Sequence, residues 1–385
     1  MSQPAPQITP VSAARPRVAA VRCPDYREPE VDRAVRAALA PLGGLAAHLR
    51  PGQTVLLKPN LLSARPPEQA VTTHPAVVAA LVRLCWEAGA ARVWIGDSPA
   101  GNHPEGVLWE KTGMAAVAAA TGAELKSFHG PLRTRPCAGI DLPSPAWLDE
   151  VDLLVSVPKL KTHGLTLLTG AVKNLYGLVA GQAKANFHGH FPTPLAMSTF
   201  LAELYGVFKP GLAVMDAVVA MEGEGPANGR PKPLGLILAG TDGVAVDAAA
   251  AGVLGLTPEQ IPLLRVAAAR GFGRTDGFER VGDGVAVLAA ARMRPSLGRL
   301  LQGIPEPLFK LVTRLVRCRP RINRRLCNGC GICARTCPRG AIRWQPGGGP
   351  PDGIDNARCI LCLCCCESCP NHAIAMNRSL LRWRA

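Results

Sequence analysis

Aromatic side chains make up only 4% of this 385-residue chain, and just three of them are tyrosines. That is too few to build the stacking platforms on which single-stranded nucleic acid is held. Nowhere do eighteen apolar residues run uninterrupted, so no transmembrane helix is expected. The opening stretch MSQPAPQITPVSAARPRVAA lacks the apolar core of a signal peptide. A soluble, cytoplasmic protein is the expectation. Two nucleotide signatures are also missing. G-x-x-x-x-G-K-[ST] does not occur, and no G-x-G-x-x-G follows a strand pattern, so neither a P-loop nor a nicotinamide site is supported. Acids are scarce as well, 28 against 43 lysines and arginines, for a net charge of +15. The imbalance is concentrated: from residue 311 onward there are 13 arginines, no lysine and three acids. Such an excess attracts nucleic acid electrostatically, but no recognition-helix motif accompanies it. Nucleic acid is therefore not the expected partner.

What the chain does have is cysteine: 14 residues, ten of them from Cys327 onward. In CNGCGICARTCP, Cys327, Cys330, Cys333 and Cys337 stand in the spacing C-x2-C-x2-C-x3-C-P, the ferredoxin signature for iron-sulfur ligation. The stretch CILCLCCCESCP places Cys359, Cys362, Cys365 and Cys369 on the same template and leaves Cys364 and Cys366 over. Three thiolates two residues apart suit a loop around one cluster, and the displaced fourth reaches the partner cluster. The expected ligand sets are thus Cys327, Cys330, Cys333 and Cys369 for one 4Fe-4S cluster, and Cys359, Cys362, Cys365 and Cys337 for the other. Both motifs end alike, in CPRGAI and CPNHAI, which marks an internal duplication. Paired CxxC motifs also bind zinc, but zinc explains neither the third cysteine nor the proline, each of which occurs twice. Cysteines gathered in one tail of an enzyme-sized chain do not make a disulfide framework either. Eight thiolates outweigh the positive charge of two oxidised clusters, so part of the arginine excess balances buried cluster charge.

The first 290 residues alternate short apolar runs with helical patterns. Likewise TVLLK (54–58), ARVWIG (91–96), VDLLVSV (151–157), LAVMD (212–216) and LGLILAG (234–240) lack polar alternation, as strands buried on both faces do. THPAVVAALVRLCWEAGA (73–90) reads as a helix with Thr73 as cap, Pro75 in the first turn and Gly89 at the end. Alanine-rich stretches at 115–120 and 245–251 also read as helix. The fold class expected is α/β, an open, mainly parallel layered sheet with helices, followed by a small α+β ferredoxin-like two-cluster domain. The boundaries expected are 1–291 for the α/β domain, 292–320 for a basic linker helix striped by Leu308, Val312, Leu315 and Val316, and 321–385 for the ferredoxin unit. The linker's basic, amphipathic character also fits a helix lying on a membrane surface.

Open α/β sheets bind ligands beyond the carboxyl ends of their strands, and polar residues crowd there. Lys58 and Asn60 follow the first run, Asp97 and Ser98 the second, and Lys159, Lys161 and His163 the third. Asp216, Glu222, Glu224, Asp242 and Asp247 follow the later ones. The segment 159–190 adds Lys173 and Lys184, which make an anion site, with glycines at 170, 177 and 181 to let backbone approach a ligand. His163, His188 and His190 are candidates for metal ligation or proton transfer. The carboxylates Asp97, Asp216, Glu222 and Asp247 either neutralise the lysines or hold a divalent metal.

Taken together, LLKPNLL, IGDSPAG, VSVPKLKTHGLTLLTGAVKNLYGLVAG, and AMEGEGP followed by GTDGVAVD resemble the bacterial and archaeal family called domain of unknown function 362, over residues 50–255. Members with a two-cluster ferredoxin tail carry the label iron-sulfur cluster-binding protein. The chain departs from the family at VAG (179–181), where a proline before the glycine is expected. A fainter similarity joins TGAVKNLYGLVAG to the lysine segment of nickel-pincer lactate racemases and implies that Lys173 attaches a cofactor. The function expected is an iron-sulfur oxidoreductase passing electrons to a small anionic substrate or cofactor. Lys173 and His163 are its catalytic candidates, and Lys58, Asn60, Asp97, Lys159, Lys161, Asp216 and Glu222 its binding candidates. A further metal or organic cofactor in the N-terminal domain stays open. An electron donor or acceptor protein is the partner expected, and the rival reading is an adaptor that docks a partner without chemistry of its own. Nothing in the sequence sets the oligomeric state.

Overall fold

The computed structural model describes residues 15–101, 104–296 and 320–376, with the single positions 299, 304 and 308. Of the stripe assigned to a linker helix, Leu308 is exposed, and Val312, Leu315 and Val316 lie outside the described residues.

Seven strands precede the lysine-rich segment: β1 Arg17–Arg22, β2 Thr54–Pro59, β3 Arg92–Ile95, β4 Glu124–Leu125, β5 Leu132–Cys137, β6 Ile140–Pro145 and β7 Leu153–Val157. Seven follow: β8 Lys159–His163, β9 Leu167–Thr169, β10 Leu212–Glu222, β11 Arg230–Gly240, β12 Glu279–Val281, β13 Pro320–Ile322 and β14 Ile374–Met376. The main sheet has the order β12-β1-β11-β10-β7-β2-β3-β4. Along this order β11 alone runs antiparallel to its neighbours. The fold is therefore α/β with a large, mostly parallel sheet.

The apolar runs make strands buried on both faces, because side chains alternate across a strand. Val55 and Leu57 enter one core and Leu56 the other; Val93 and Ile95 part from Trp94 in the same way. Helices Glu28–Leu39 and Pro75–Glu87 cover the first face. Helices Pro194–Phe208, Gly243–Ala251 and Pro262–Ala269 cover the second. Among the described residues no helix is long and apolar enough to cross a membrane.

Two local expectations change. His74, not Thr73, caps helix Pro75–Glu87, its ring nitrogen accepting from Ala76 N at 3.2 Å. The Thr73 hydroxyl is engaged elsewhere, donating to the Val157 carbonyl at 2.6 Å and accepting from Asn60 N at 2.9 Å. Secondly, Pro158, which has no N–H to offer a ladder, separates β7 from β8. The third apolar run therefore continues as a second strand beside β10 instead of ending in a loop, with Lys159 opposite Asp216.

The short helix Ala171–Asn174 carries Lys173, and a carboxylate from the neighbouring helix holds it in place. Asp247 lies inside the fully buried helix Gly243–Ala251. Its two oxygens accept from Ala171 N at 2.6 Å and Val172 N at 3.0 Å. Burial pushes Asp247 up to about 7, against the pull of those two N–H groups. The close approach requires a glycine, since a Cβ at Gly170 would lie 2.1 Å from Asp247 Oδ1. Gly170→Ala should cost about 2 kcal/mol, the scale of overpacking a tight core, and should lower the urea midpoint accordingly; an unchanged midpoint would contradict this packing.

Candidate functional site

In the tail, the cysteines enclose two small cavities. Cys327, Cys330, Cys333 and Cys369 line one, and Cys337, Cys359, Cys362 and Cys365 the other. Each quartet takes three thiols from one motif and the fourth from its duplicate. The duplication is visible in the backbone. Gly329 and Gly331 adopt left-handed conformations at φ 73 and 69°, and Leu361 and Leu363 repeat them at 58 and 66°. Ala341 N donates to Cys337 Sγ at 3.2 Å, and Ala373 N to Cys369 Sγ at 3.3 Å. Such N–H donors suit thiolate sulfur. Among the described residues no group of three or more His, Cys, Asp or Glu side chains closes around a single ion. Of the two surplus thiols, Cys364 also lines the second quartet's cavity, while Cys366 faces a separate one beside Glu224 and Met376.

Between the tail and the carboxyl ends of β2 and β3 lies a cavity of about 400 Å³. The α/β side contributes Lys58, Asn60, Asp97, Lys173, Lys184 and His188. The tail contributes Ile332, Arg335, Thr336, Cys364, Glu367 and Ser368. Ile332 also belongs to the first thiol quartet's lining, so both quartets abut this cavity. Ile332 and Cys364 hold equivalent places in the duplicated motif.

Lys58 is fully buried and pairs with Asp97 Oδ1 at 2.7 Å. Its ammonium also donates to Asn174 Oδ1 at 2.9 Å and to the Pro59 carbonyl at 2.8 Å. Burial lowers its proton affinity, and Asp97 opposes that shift. A Cβ at Gly177 would sit 1.9 Å from Asp97 Oδ1 and 2.6 Å from Lys58 Nζ. Gly170 and Gly177 thus make room for the protein's own carboxylates, which corrects their reading as ligand-approach points. Lys184 donates to the carbonyls of Ser98 and Pro99 and to the Ser98 hydroxyl, and burial lowers it to about 7.

Of Lys58, Lys159, Lys161, His163 and Lys173, only Lys58 and Lys173 line this cavity. Lys159 is fully buried elsewhere, donating to Asp216 Oδ2 at 2.8 Å and to the Tyr26 hydroxyl at 2.7 Å. Tyr26 in turn donates to Asp216 Oδ1 at 2.8 Å and stacks on His74. Lys161 donates to Asn60 Oδ1 and the Val71 carbonyl, both at 2.8 Å. Glu222 accepts from Arg294 N at 2.9 Å, away from the cavity. Asp97, Asp216, Glu222 and Asp247 therefore neutralise lysines or cap backbone at separate places and do not converge on one metal.

His163 lies one layer behind the cavity wall. Its Nδ1 accepts from Leu165 N at 3.0 Å and Thr166 N at 3.2 Å, which puts the proton of the neutral ring on Nε2. Nε2 stands 3.4 Å from Glu367 Oε1, across the junction with the tail. Burial, with the charge of Lys173, lowers His163 to about 4. Burial raises Glu367, but the adjacent His163 ring and the charge of Lys173 bring it below the usual carboxylate range. Glu367 was not among the residues singled out from sequence, and neither was Arg65, a buried guanidinium donating to the Ala227 carbonyl at 2.6 Å and the Cys369 carbonyl at 3.1 Å. A charged residue in the midst of a cysteine run was the available signal for Glu367.

Residues 55–252 match the family described as Domain of unknown function (DUF362), over more than half of the chain. The chain belongs to the DUF362 family. Residues 320–343 match the 4Fe-4S binding domain, so this DUF362 protein carries an iron-sulfur tail of the electron-transfer type. A thylakoid-associated protein of Synechocystis sp. is 33% identical over 249 residues, 64% of this chain and 77% of the relative. Among solved structures, the lactate racemase apoprotein of Thermoanaerobacterium thermosaccharolyticum aligns with a TM-score of 0.41 at 13% identity. A Thermotoga maritima protein aligns at 0.37, also with 13% identity. The aligned regions cover 62% and 63% of this chain, and 57% and 59% of those two chains.

His188 is buried on the cavity, with Nδ1 unpartnered and its ring edge-on to Tyr176. Burial lowers it from 6.5 to about 4; Glu367 opposes this shift and Lys173 adds to it. Between these values the unfolded chain binds a proton that the folded one does not. The contribution to stability is therefore complete above about pH 6.5 and is lost as the pH falls toward 4. Taking the cluster-loaded protein from neutral pH to pH 5 should cost about 2 kcal/mol more than the same change in His188→Gln, as read from anaerobic urea midpoints. Equal losses would show His188 to be solvated.

Proposed function

We propose that this protein is an iron-sulfur oxidoreductase with two 4Fe-4S clusters in its ferredoxin unit, passing electrons to a small anionic substrate or cofactor held at the strand tips of the α/β domain. One observation carries the reading: the cavity walled by Lys58, Lys173 and His188 on one side is walled by Cys364 and Ile332 on the other, and those two residues also line the thiol quartets. A ligand there lies one side chain away from either cluster position. The ligands assigned are Cys327, Cys330, Cys333 and Cys369 for one cluster and Cys359, Cys362, Cys365 and Cys337 for the other. Bound in these quartets, four-iron cubes supply one electron at a time.

The chain's own residues do the rest. Arg65 and the His163–Glu367 contact hold the tail against the strand tips. Lys58 is neutralised by Asp97, so the side chains left to meet the ligand are Lys173 and, at the tail side, Arg335. Burial of the cavity strengthens such contacts by removing competing water. The division into an α/β domain to residue 291 and a ferredoxin unit from 321 is part of the proposal, as is a partner protein that exchanges electrons with the tail.

Anaerobically reconstituted protein should hold about eight irons and eight labile sulfides per chain. Replacing Cys364 and Cys366 together by serine should leave that count unchanged. Replacing Cys365 alone should roughly halve it or convert one cluster. Zinc as the main metal, or a count near four in the wild type, would overturn the two-cluster assignment.

Lys173→Ala should abolish turnover of an anionic acceptor while both cluster spectra stay normal. Full activity in that variant would leave the α/β domain as a docking adaptor.

A further inference from the structure

The lysines near the strand tips differ in one respect. Lys58, Lys159, Lys161 and Lys184 each donate to at least two acceptors. Among the described residues Lys173 makes no hydrogen bond or ion pair, and its half-buried side chain lines the cavity. An ammonium that loses part of its hydration without gaining an acceptor is destabilised relative to the neutral amine. The surroundings tell the same way: burial lowers the proton affinity of Lys173, and the more distant charges of Glu367, Cys364 and Asp97 only partly restore it. A free amine is a nucleophile toward carbonyl carbon. Two further polar groups on the same cavity are buried and unpartnered, His188 Nδ1 and Ser368 Oγ. They mark the space as one completed by a ligand with hydrogen-bonding groups of its own.

We infer that Lys173 is an imine-forming lysine and that the cavity takes a small carbonyl compound bearing an anionic group. Lys173 Nζ bonds to the carbonyl carbon, and the carbonyl oxygen leaves as water with both amine hydrogens. No electron is transferred in this step. Arg335 lines the tail side of the cavity, its guanidinium donating to the Cys330 carbonyl at 3.0 Å and lying over the Trp344 ring, and brings the positive charge to the anionic group. The inference rests on the cavity being the ligand site of the proposed oxidoreductase, but it concerns how the ligand is held and not how it is reduced.

The test uses the full-length, cluster-loaded protein with glyoxylate, a small anionic aldehyde, and cyanoborohydride to trap the imine as a stable secondary amine, followed by peptide mass mapping. Lys173 should be modified at least about tenfold faster than the exposed Lys111 and Lys209, since the cavity holds the aldehyde beside the amine. Labelling at Lys173 should saturate with glyoxylate, and oxalate should compete with it. Lys173→Arg keeps a long polar side chain on the cavity wall but cannot form the imine. It should retain oxalate binding by calorimetry and lose the fast labelling phase, with normal cluster spectra showing that it folds. Labelling confined to surface lysines overturns the inference. That outcome with active clusters leaves the electron-transfer reading standing, whereas fast labelling of Lys173 in a protein that passes no electrons removes that reading and keeps the imine.

Discussion

Lys58 and Asp97 meet at 2.7 Å with both side chains shut off from solvent. An ion pair this deep persists only if its remaining protons and lone pairs are also satisfied, and stranding either partner costs about 3–5 kcal/mol. Much of the cavity follows from that demand. Asn174 supplies an acceptor to the ammonium and is itself anchored by donating to the Lys58 carbonyl at 2.9 Å and the Ser156 hydroxyl at 3.1 Å. Leu61 N satisfies the second Asp97 oxygen at 2.5 Å. Because Asn174 adjoins Lys173, fixing one fixes the backbone of the other. Asp247 holds the opposite end of the same short helix. The unpaired lysine is thus presented by a helix pinned at both ends.

The contacts that seat the tail follow a similar logic. His163 has two backbone N–H groups on Nδ1, so its proton is on Nε2, the nitrogen that stands 3.4 Å from Glu367 Oε1. Glu367 lies between the ligand candidates Cys365 and Cys369. Arg65, from the loop after β2, donates to the carbonyl of Cys369 itself. At the junction the Glu367 carboxylate is buried beside the neutral His163 ring, and the Arg65 guanidinium against the carbonyls of Ala227 and Cys369. Separating the tail from the sheet would leave His163, Glu367 and Arg65 without these partners. The same contacts that orient the ferredoxin unit therefore also close the cavity.

Much of this was legible from sequence, for identifiable reasons. Strands buried on both faces show as unbroken Val, Leu and Ile runs, and the first motif's thiol spacing marks the 4Fe-4S binding domain that residues 320–343 match. The destinations of the lysines were not legible. Lys159 and Lys161 follow an apolar run and look like loop residues, but Pro158 starts a new strand there, so both are drawn under the sheet edge to partners on Tyr26, Asp216, Asn60 and Val71. Partner choice depends on which strand lies alongside, and local pattern does not carry that information. Gly170 and Gly177 were correctly taken as places of close approach. What approaches, Asp247 and Asp97, comes from 77 and 80 residues away in sequence. Thr73 has the chemistry of a cap, and its hydroxyl was instead drawn into tertiary bonds with Val157 and Asn60.

The two halves of the tail show where the duplication has diverged. In the first motif, glycines occupy the left-handed positions and an isoleucine faces the cavity. In the second, Leu361 and Leu363 adopt the same backbone, at about 1–2 kcal/mol each for an L-residue, and a thiol, Cys364, takes the place of Ile332. Such cost persists where surrounding structure imposes it, and here the surroundings are known. Leu363 carries its side chain to within 2.9 Å of where a Cβ on Gly164 would be, and Cys364, Cys365, Cys366 and Glu367 are all buried in the short helix that follows. Both halves wall the cavity, but strain, surplus thiols and the buried Glu367 fall in the second, whose Glu367 and Cys369 also meet His163 and Arg65, the distribution expected when one copy of a duplicated unit has been reshaped to close a junction.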